Sequence, residues 1–104
     1  MEKSNFTITR QSEATDIKFE AAGYIVYDTA GQFEKAINDS FADNPKSITI
    51  DMEKVVVFTS IAIRVILKTY KTATEKGVGY HIENPSQIVR NVLKLSKLEE
   101  MLVK

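Results

Sequence analysis

The sequence predicts an α/β fold in which a mixed sheet of four or five strands carries its helices mainly on one face. Short segments alternate apolar and polar residues, longer segments place apolar residues three and four apart, and the two kinds of segment follow each other along the chain. Strands that are joined through helices are parallel neighbours with right-handed connections. The expected order is strand, strand, helix, strand, helix, strand, helix.

Size and composition fit one domain over residues 1–104. With 43% hydrophobic and 27% charged residues, a chain of 104 residues can bury a core without disulfides or metal. There is no cysteine, which argues against a secreted disulfide scaffold and a thiolate site. The N-terminal residues lack an apolar export segment, and no apolar run approaches the roughly 18 residues of a membrane span. We therefore expect a cytoplasmic protein.

The first half of the chain predicts a hairpin, a helix and a third strand. Residues 6–10 and 17–25 alternate as strands, with a polar turn at residues 11–15 between them. Thr29 and Gln32 have the spacing of a capping box, so a helix is expected from Thr29 to Ala42. The third strand follows at residues 48–51.

The second half predicts two more helices and one strand. The apolar segment Val55 to Phe58 is interpreted as a turn that leads into the second helix. The inward stripe of that helix consists of Ala62, Val65, Ile66, Thr69, Tyr70 and Ala73. Gly77 ends the helix, and residues 78–83 alternate as the fourth strand. Asn84 and Pro85 are then expected to start the third helix as its N-cap and first-turn proline.

No motif of catalysis or ligand binding is recognisable. Gly77-Val78-Gly79 lacks the third glycine of a dinucleotide fingerprint, and neither a phosphate loop nor a serine nucleophile elbow occurs. His81 is the one histidine, and it is expected at the surface without a metal. Arg64, Lys68 and Lys71 are not interleaved with aromatic residues, and a solvated helix face explains them. The sequence predicts a protein-binding module without catalytic residues, cofactor, metal or nucleic-acid partner.

Thr59 and Ser60 stand where the third strand passes into the second helix. A phosphate would suit this position, because a helix N-terminus has free amides and the positive end of the dipole. In the alternative interpretation, one of the two residues is an N-cap that stabilises the helix by about 1 kcal/mol. The preceding residues, Val55 to Phe58, fit either a partner-facing ridge or a buried strand end.

Three segments together resemble the STAS domain family, which is typified by bacterial anti-sigma factor antagonists. Gly23 to Ala30 is similar to the family's Gly-Glu-Leu-Asp segment before the first helix. Ile48 to Lys71 is similar to its strand, phosphorylation loop and second helix, and Val89 to Leu98 to its closing helix. The likeness covers about residues 6–103.

The resemblance implies a regulator that binds an anti-sigma factor with serine kinase activity, or another ATPase-type protein. The family's loop reads Asp-Ser-Ser-Gly, and its phosphorylated serine falls at Ser60, with Thr59 as the second choice. The phosphate would weaken partner binding through charge repulsion and desolvation. The expected partner-binding residues are Tyr24, Val26, Tyr27, Asp28, Phe58, Thr59, Ser60, Ile61 and Arg64. We expect a monomer or a weak homodimer.

Four positions depart from the family pattern. Thr59 replaces the loop acid, Ala62 the loop glycine, Val26 the acid before the first helix, and Lys97 the glycine before the final leucine. Loss of both acids favours an alternative function, in which a STAS adaptor subunit docks on a transporter ATPase of lipid trafficking without a phosphorylation switch. An enzyme or small-ligand carrier is a third class, which the absent motifs disfavour.

Overall fold

The computed structural model describes residues 5–11 and 15–103, so the predicted hairpin turn lies largely outside the described residues. The strands of this part of the chain are β1 (Phe6–Arg10), β2 (Asp16–Ile25), β3 (Ser47–Phe58) and β4 (Gly79–Glu83). They form one sheet in the order β1-β2-β3-β4, with β1 antiparallel to β2 and the other pairs parallel. The helices are α1 (Tyr27–Ser40), α2 (Ser60–Glu75), α3 (Gln87–Leu95) and α4 (Glu99–Leu102), and a 3₁₀ turn spans Phe41–Asp43. The predicted α/β class, mixed sheet and element order are confirmed.

The sheet has one apolar and one polar face. Side chains on the apolar face are buried, among them Ile17, Phe19 and Ala21 of β2, Ile48, Ile50 and Met52 of β3, and Tyr80 and Ile82 of β4. Residues between them in the sequence, such as Lys18, Thr49 and His81, pair across the strands on the opposite face and are half-buried. The connections through α1 and α2 step in the same direction across the sheet, so right-handed crossovers place both helices on the same face.

The second helix is fixed to β4 through a buried polar contact. The Thr69 hydroxyl lies 2.6 Å from the Tyr80 hydroxyl, and it also donates to Val65 O at 2.8 Å. The ring of Tyr70 packs edge-on against that of Tyr80, with centroids 6.0 Å apart. Burial raises the pKa of Tyr80, and the hydrogen bond to Thr69 opposes this effect. The predicted inward stripe of α2 is buried apart from Tyr70, which is half-buried.

The interpretation of Val55 to Phe58 as a turn was wrong, because β3 continues to Phe58. Val55 lies opposite Gly23, and Phe58 lies opposite Ile25, so the segment stays paired with β2. Val55 and Phe58 are buried, whereas Val56 is 57% exposed. The strand-end interpretation therefore holds for the two buried residues.

Two helix starts also differ from the sequence prediction. The N-cap of α1 is Val26, and Thr29 lies at the third helical position. The Thr29 hydroxyl accepts a hydrogen bond from Val26 N at 2.9 Å and donates one to Tyr24 O at 2.6 Å. The N-cap of α3 is Ser86, whose hydroxyl accepts from Val89 N at 3.5 Å, and Asn84 instead occupies a left-handed turn.

Candidate functional site

The candidate site lies at the carboxyl ends of β2 and β3, where α1 and α2 begin. We call it the α1–α2 corner, and it comprises residues 24–28 and 56–64. Ile25 and Phe58 are the last paired residues of the two strands, and Val26 and Thr59 follow as the helix N-caps. Carboxyl ends of neighbouring parallel strands meet at one edge of a sheet, so the two helix N-termini are neighbours.

Thr59 and Ser60 have different environments at this corner. Thr59 is half-buried, and both its backbone N–H and its hydroxyl donate to Ile25 O, at 3.3 and 3.2 Å. It stands at the N-cap position, yet its side chain does not cap the helix. Ser60 is the first residue of α2 and is exposed, and its hydroxyl forms no hydrogen bond with residues 5–11 or 15–103. Ser60 is therefore the accessible hydroxyl of the pair.

The first turn of α2 contributes positive potential next to Ser60, while Asp28 of the adjacent α1 contributes a negative charge to the corner. Ala62 N and Ile63 N donate to Thr59 O at 3.0 and 3.3 Å, whereas the amides of Ser60 and Ile61 precede the first intrahelical bonds. The first turn of α2 contains no acidic residue. Arg64 is exposed one turn later, so its charge adds to the positive end of the helix dipole.

Two irregularities in β3 shape the neighbouring surface. β3 contains one extra residue relative to β2 at two places. The first lies between the pairs Glu20↔Asp51 and Ala22↔Lys54, and the second lies directly after the pair Gly23↔Val55. Such an extra residue bends its strand and leaves a position unpaired. The second irregularity leaves Val56 at the surface and places Val57 opposite Tyr24.

The end of β2 is held by a close contact with the start of β1. Tyr24 N donates to Asn5 O at 2.7 Å, and Gly23 adopts a φ of +95° beside it. A Cβ atom on Gly23 would lie 2.3 Å from Asn5 O, so the position requires glycine. Tyr24 then projects as a 41% exposed side chain at the edge of the corner.

The start of α1 presents the most exposed aromatic ring of the corner. Tyr27 is the first residue of this helix and is 84% exposed. Asp28, in the first turn, is exposed as well, and Val26 is half-buried. Aromatic and arginine side chains are enriched in protein interfaces, which makes Tyr24, Tyr27 and Arg64 a surface suited to a protein partner.

The structure brings eight of the nine predicted partner-binding residues to the surface of the corner, at least in part. Phe58 is the exception: it is 3% exposed and belongs to the core, so its side chain cannot contact a partner. Val56 is exposed, as the ridge interpretation of Val55 to Phe58 allowed, but it was not among the nine predicted partner-binding residues. Its exposure depends on the irregular register of β3, for which the residues themselves carry no signal.

Residues 5–11 and 15–103 contain no group of three or more His, Cys, Asp or Glu side chains that could hold a metal ion. Within the same ranges, no helix combines the length and apolar character of a membrane span.

The fold and the corner place the chain in a class of α/β domains with a mixed sheet and two helices that start side by side. The family model of the STAS domain matches residues 6–104. The chain therefore belongs to the STAS domain family, as the sequence resemblance indicated. No curated protein sequence matched it.

Several solved structures share this fold. An anti-sigma factor antagonist from Mycobacterium paratuberculosis is 21% identical, with a TM-score of 0.84 over 94% of this chain and 83% of that one. The anti-sigma factor antagonist SpoIIAA in its unphosphorylated form is 17% identical, with a TM-score of 0.80 over 95% of this chain and 86% of that one. The Bacillus cell fate determinant SpoIIAA in its phosphorylated form is 16% identical, with a TM-score of 0.74 over 95% of this chain and 89% of that one.

Proposed function

We propose that the protein is an anti-sigma factor antagonist that binds its partner through the α1–α2 corner and is switched by phosphorylation of Ser60. The observation that carries the proposal is the exposed hydroxyl of Ser60 at the start of α2 in a STAS fold. The partner is an anti-sigma factor with serine kinase activity, and binding of the unphosphorylated protein releases a sigma factor. The chain itself acts in the cytoplasm as a single binding domain without a catalytic step.

The exposed side chains around Ser60 support its role in a protein contact. Tyr24, Tyr27 and Val56 are large apolar side chains at the surface, and Arg64 adds a cation next to them. Exposed apolar groups rimmed by polar ones are typical of protein-binding sites. A partner that covers this surface buries the Ser60 hydroxyl in the interface.

Phosphorylation of Ser60 reverses this interaction. The γ-phosphoryl group of ATP moves to Ser60 Oγ, ADP leaves, and the hydroxyl proton passes to a base of the kinase. The product carries a charge of about −1.5 to −2 at neutral pH, which must be desolvated if the partner is to bind. SpoIIAA has this fold in the structures of both its unphosphorylated and its phosphorylated form. That likeness supports a switch through surface charge without refolding.

The test combines mass spectrometry with binding measurements. The protein is incubated with the ATPase that copurifies with it and with ATP, and the phosphate is located by peptide mapping. We expect the phosphate on Ser60, wild-type affinity for Ser60→Ala, and affinity lowered by about tenfold or more for Ser60→Asp. Ser96→Asp, at an exposed serine after α3, is the matched control and should bind like the wild type. Equal binding by both Ser60 variants, with no phosphate on Ser60, would contradict the proposal.

One feature of the corner favours the second candidate function, a STAS adaptor that docks on a transporter ATPase. The loop acid and the acid before α1 are replaced by Thr59 and Val26, and the Thr59 hydroxyl is occupied by Ile25 O. A corner without these acids offers a serine kinase less to recognise, while its apolar surface is retained. Copurification separates the two functions, since a transporter ATPase in place of a histidine-kinase-like ATPase would support the adaptor.

A further inference from the structure

Arg64 is placed to interact with Ser60 along the outer face of α2. Residues four apart on a helix are neighbours, and both side chains are exposed. Arg64 forms no ion pair with the part of the chain that the structure describes, whereas Lys68, one turn further, lies 2.8 Å from Glu34. The guanidinium group is therefore available to a new anion at position 60.

The same spacing already joins side chains elsewhere in this fold. Lys35 and Asp39 of α1 form an ion pair at 2.8 Å, and Gln87 and Asn91 of α3 form a hydrogen bond at 2.8 Å. A pair with the anion on the N-terminal side is the better orientation, because it also agrees with the helix dipole.

We propose that Arg64 is the intramolecular counter-ion of phosphorylated Ser60. The inference rests on the proposed phosphorylation of Ser60 and adds the side chain that receives the phosphate. Arginine suits this role, since its planar guanidinium can donate two hydrogen bonds to phosphate oxygens. Lys71 follows Ser60 by eleven residues, about 16 Å along the helix axis, and is too distant to replace it.

This pairing gives the modification two effects on a partner. In the unmodified protein, Arg64 is an exposed cation at the corner, and a carboxylate of the partner can pair with it. After phosphorylation, the phosphate brings about two negative charges and also occupies the guanidinium. The partner thus loses the guanidinium as a pairing group and meets the remaining negative charge of the phosphate.

The test uses the intact chain with phosphoserine installed at position 60 during translation, so no kinase or partner is needed. The second ionisation of the phosphate is followed by ³¹P NMR in the wild-type background and in Arg64→Gln, Arg64→Lys and Lys71→Gln. We expect Arg64→Gln to raise the pKa of the phosphate by about 0.3 or more, and Arg64→Lys to retain most of the wild-type value. Lys71→Gln should leave the pKa unchanged, and 1 M salt should remove the difference.

An identical phosphate pKa in the wild type and in Arg64→Gln overturns the inference, and so does an equal effect of Lys71→Gln. Circular dichroism of each variant checks that α2 is intact. We expect it to be, because Arg64 and Lys71 are exposed and their replacement removes no buried contact. Since the phosphate is supplied by translation, this result is independent of whether a kinase modifies Ser60 in the cell. Failure of the proposed function and failure of the Arg64 pairing are thus distinguishable.

Discussion

Replacing Gly23 by alanine should strongly destabilise the protein, because two separate costs meet at this residue. The φ of +95° lies in the left-handed region, where a residue with a Cβ atom loses about 1–2 kcal/mol. The added Cβ would also lie 2.3 Å from Asn5 O, a backbone atom that cannot move aside without disturbing β1. Relief of this clash breaks the hydrogen bond from Tyr24 N to Asn5 O, so the second cost is about 1 kcal/mol. We expect a decrease of about 2–3 kcal/mol in the free energy of unfolding.

Substitutions at two other glycines, Gly77 and Gly31, separate the backbone cost from the cost of the Cβ clash. Gly77 has a φ of +71° and open space around its Cβ position, so Gly77→Ala has the backbone cost alone, about 1 kcal/mol. Gly31 lies in α1 with nothing within 4 Å of a Cβ atom, and Gly31→Ala should stabilise the helix by about 0.5–1 kcal/mol.

Urea unfolding and calorimetry of the three variants measure this series. For a domain of this size, Gly23→Ala should lower Tm by about 10–20 °C, Gly77→Ala by about 4–8 °C, and Gly31→Ala should raise it slightly. The reasoning about the β1–β2 contact is refuted if Gly23→Ala loses no more stability than Gly77→Ala, since the clash with Asn5 O would then have no effect.

Two further predictions concern buried hydroxyl groups. Thr29→Val keeps the shape of the side chain but removes the hydroxyl between Val26 N and Tyr24 O, so it should lower the free energy of unfolding in urea by about 1–2 kcal/mol. Thr29→Ser keeps the hydroxyl and should recover most of this loss. Equal stability of the two variants would show that the hydroxyl is not needed. Tyr80→Phe should cost about 1 kcal/mol at pH 7 through the lost bond to Thr69, and Tyr70→Phe, on a half-buried ring, serves as its control. Burial raises the pKa of Tyr80 in the folded protein, so above pH 10 this group ionises in the unfolded chain before it ionises in the folded one. The free energy of unfolding of the wild type should therefore decrease above pH 10 more steeply than that of Tyr80→Phe. Parallel pH curves for the two proteins would speak against the burial effect.

The strands with regular alternation could be predicted from the sequence, and the second half of β3 could not. Up to Met52, every second residue of β3 is buried, as a sheet with one covered face requires. The two register irregularities then shift the phase, so that the next buried residues are Val55 and Phe58, three apart. A spacing of three is not typical of a strand, and the sequence interpretation therefore ended the strand too early and took Phe58 for a surface residue.

The role of Thr29 shows a different reason for a wrong boundary. Its distance from Gln32 fits a capping box, but the same threonine can also serve as the third helical residue that reaches back to the N-cap. Which role it takes depends on where β2 releases the chain, and this point is fixed by the pairing of Ile25 with Phe58. Local spacing therefore located the helix but could not fix its first residue.

The candidate site depended on both kinds of information. The position of Ser60 before an amphipathic pattern was readable from the residues, and the family resemblance gave it a role. The sequence could not predict that the Thr59 hydroxyl is hydrogen-bonded while the Ser60 hydroxyl is exposed. The acceptor for Thr59 is Ile25 O, which lies 34 positions earlier in the chain. Only the pairing of β2 with β3 brings that acceptor within reach.

These contacts also explain why a change at Ser60 should act on the surface and leave the fold intact. Thr29 holds the start of α1 through Tyr24 O, and Thr59 holds the start of α2 through Ile25 O, so consecutive carbonyl groups of β2 fix both helix N-termini. Ser60 follows Thr59 directly, but its exposed hydroxyl forms no hydrogen bond with residues 5–11 or 15–103. A phosphate on Ser60 therefore changes the charge that a partner meets without breaking a bond on which the helices depend. Variants of Thr29 should disturb partner binding together with stability, whereas Ser60→Asp and variants of Arg64 should change binding alone.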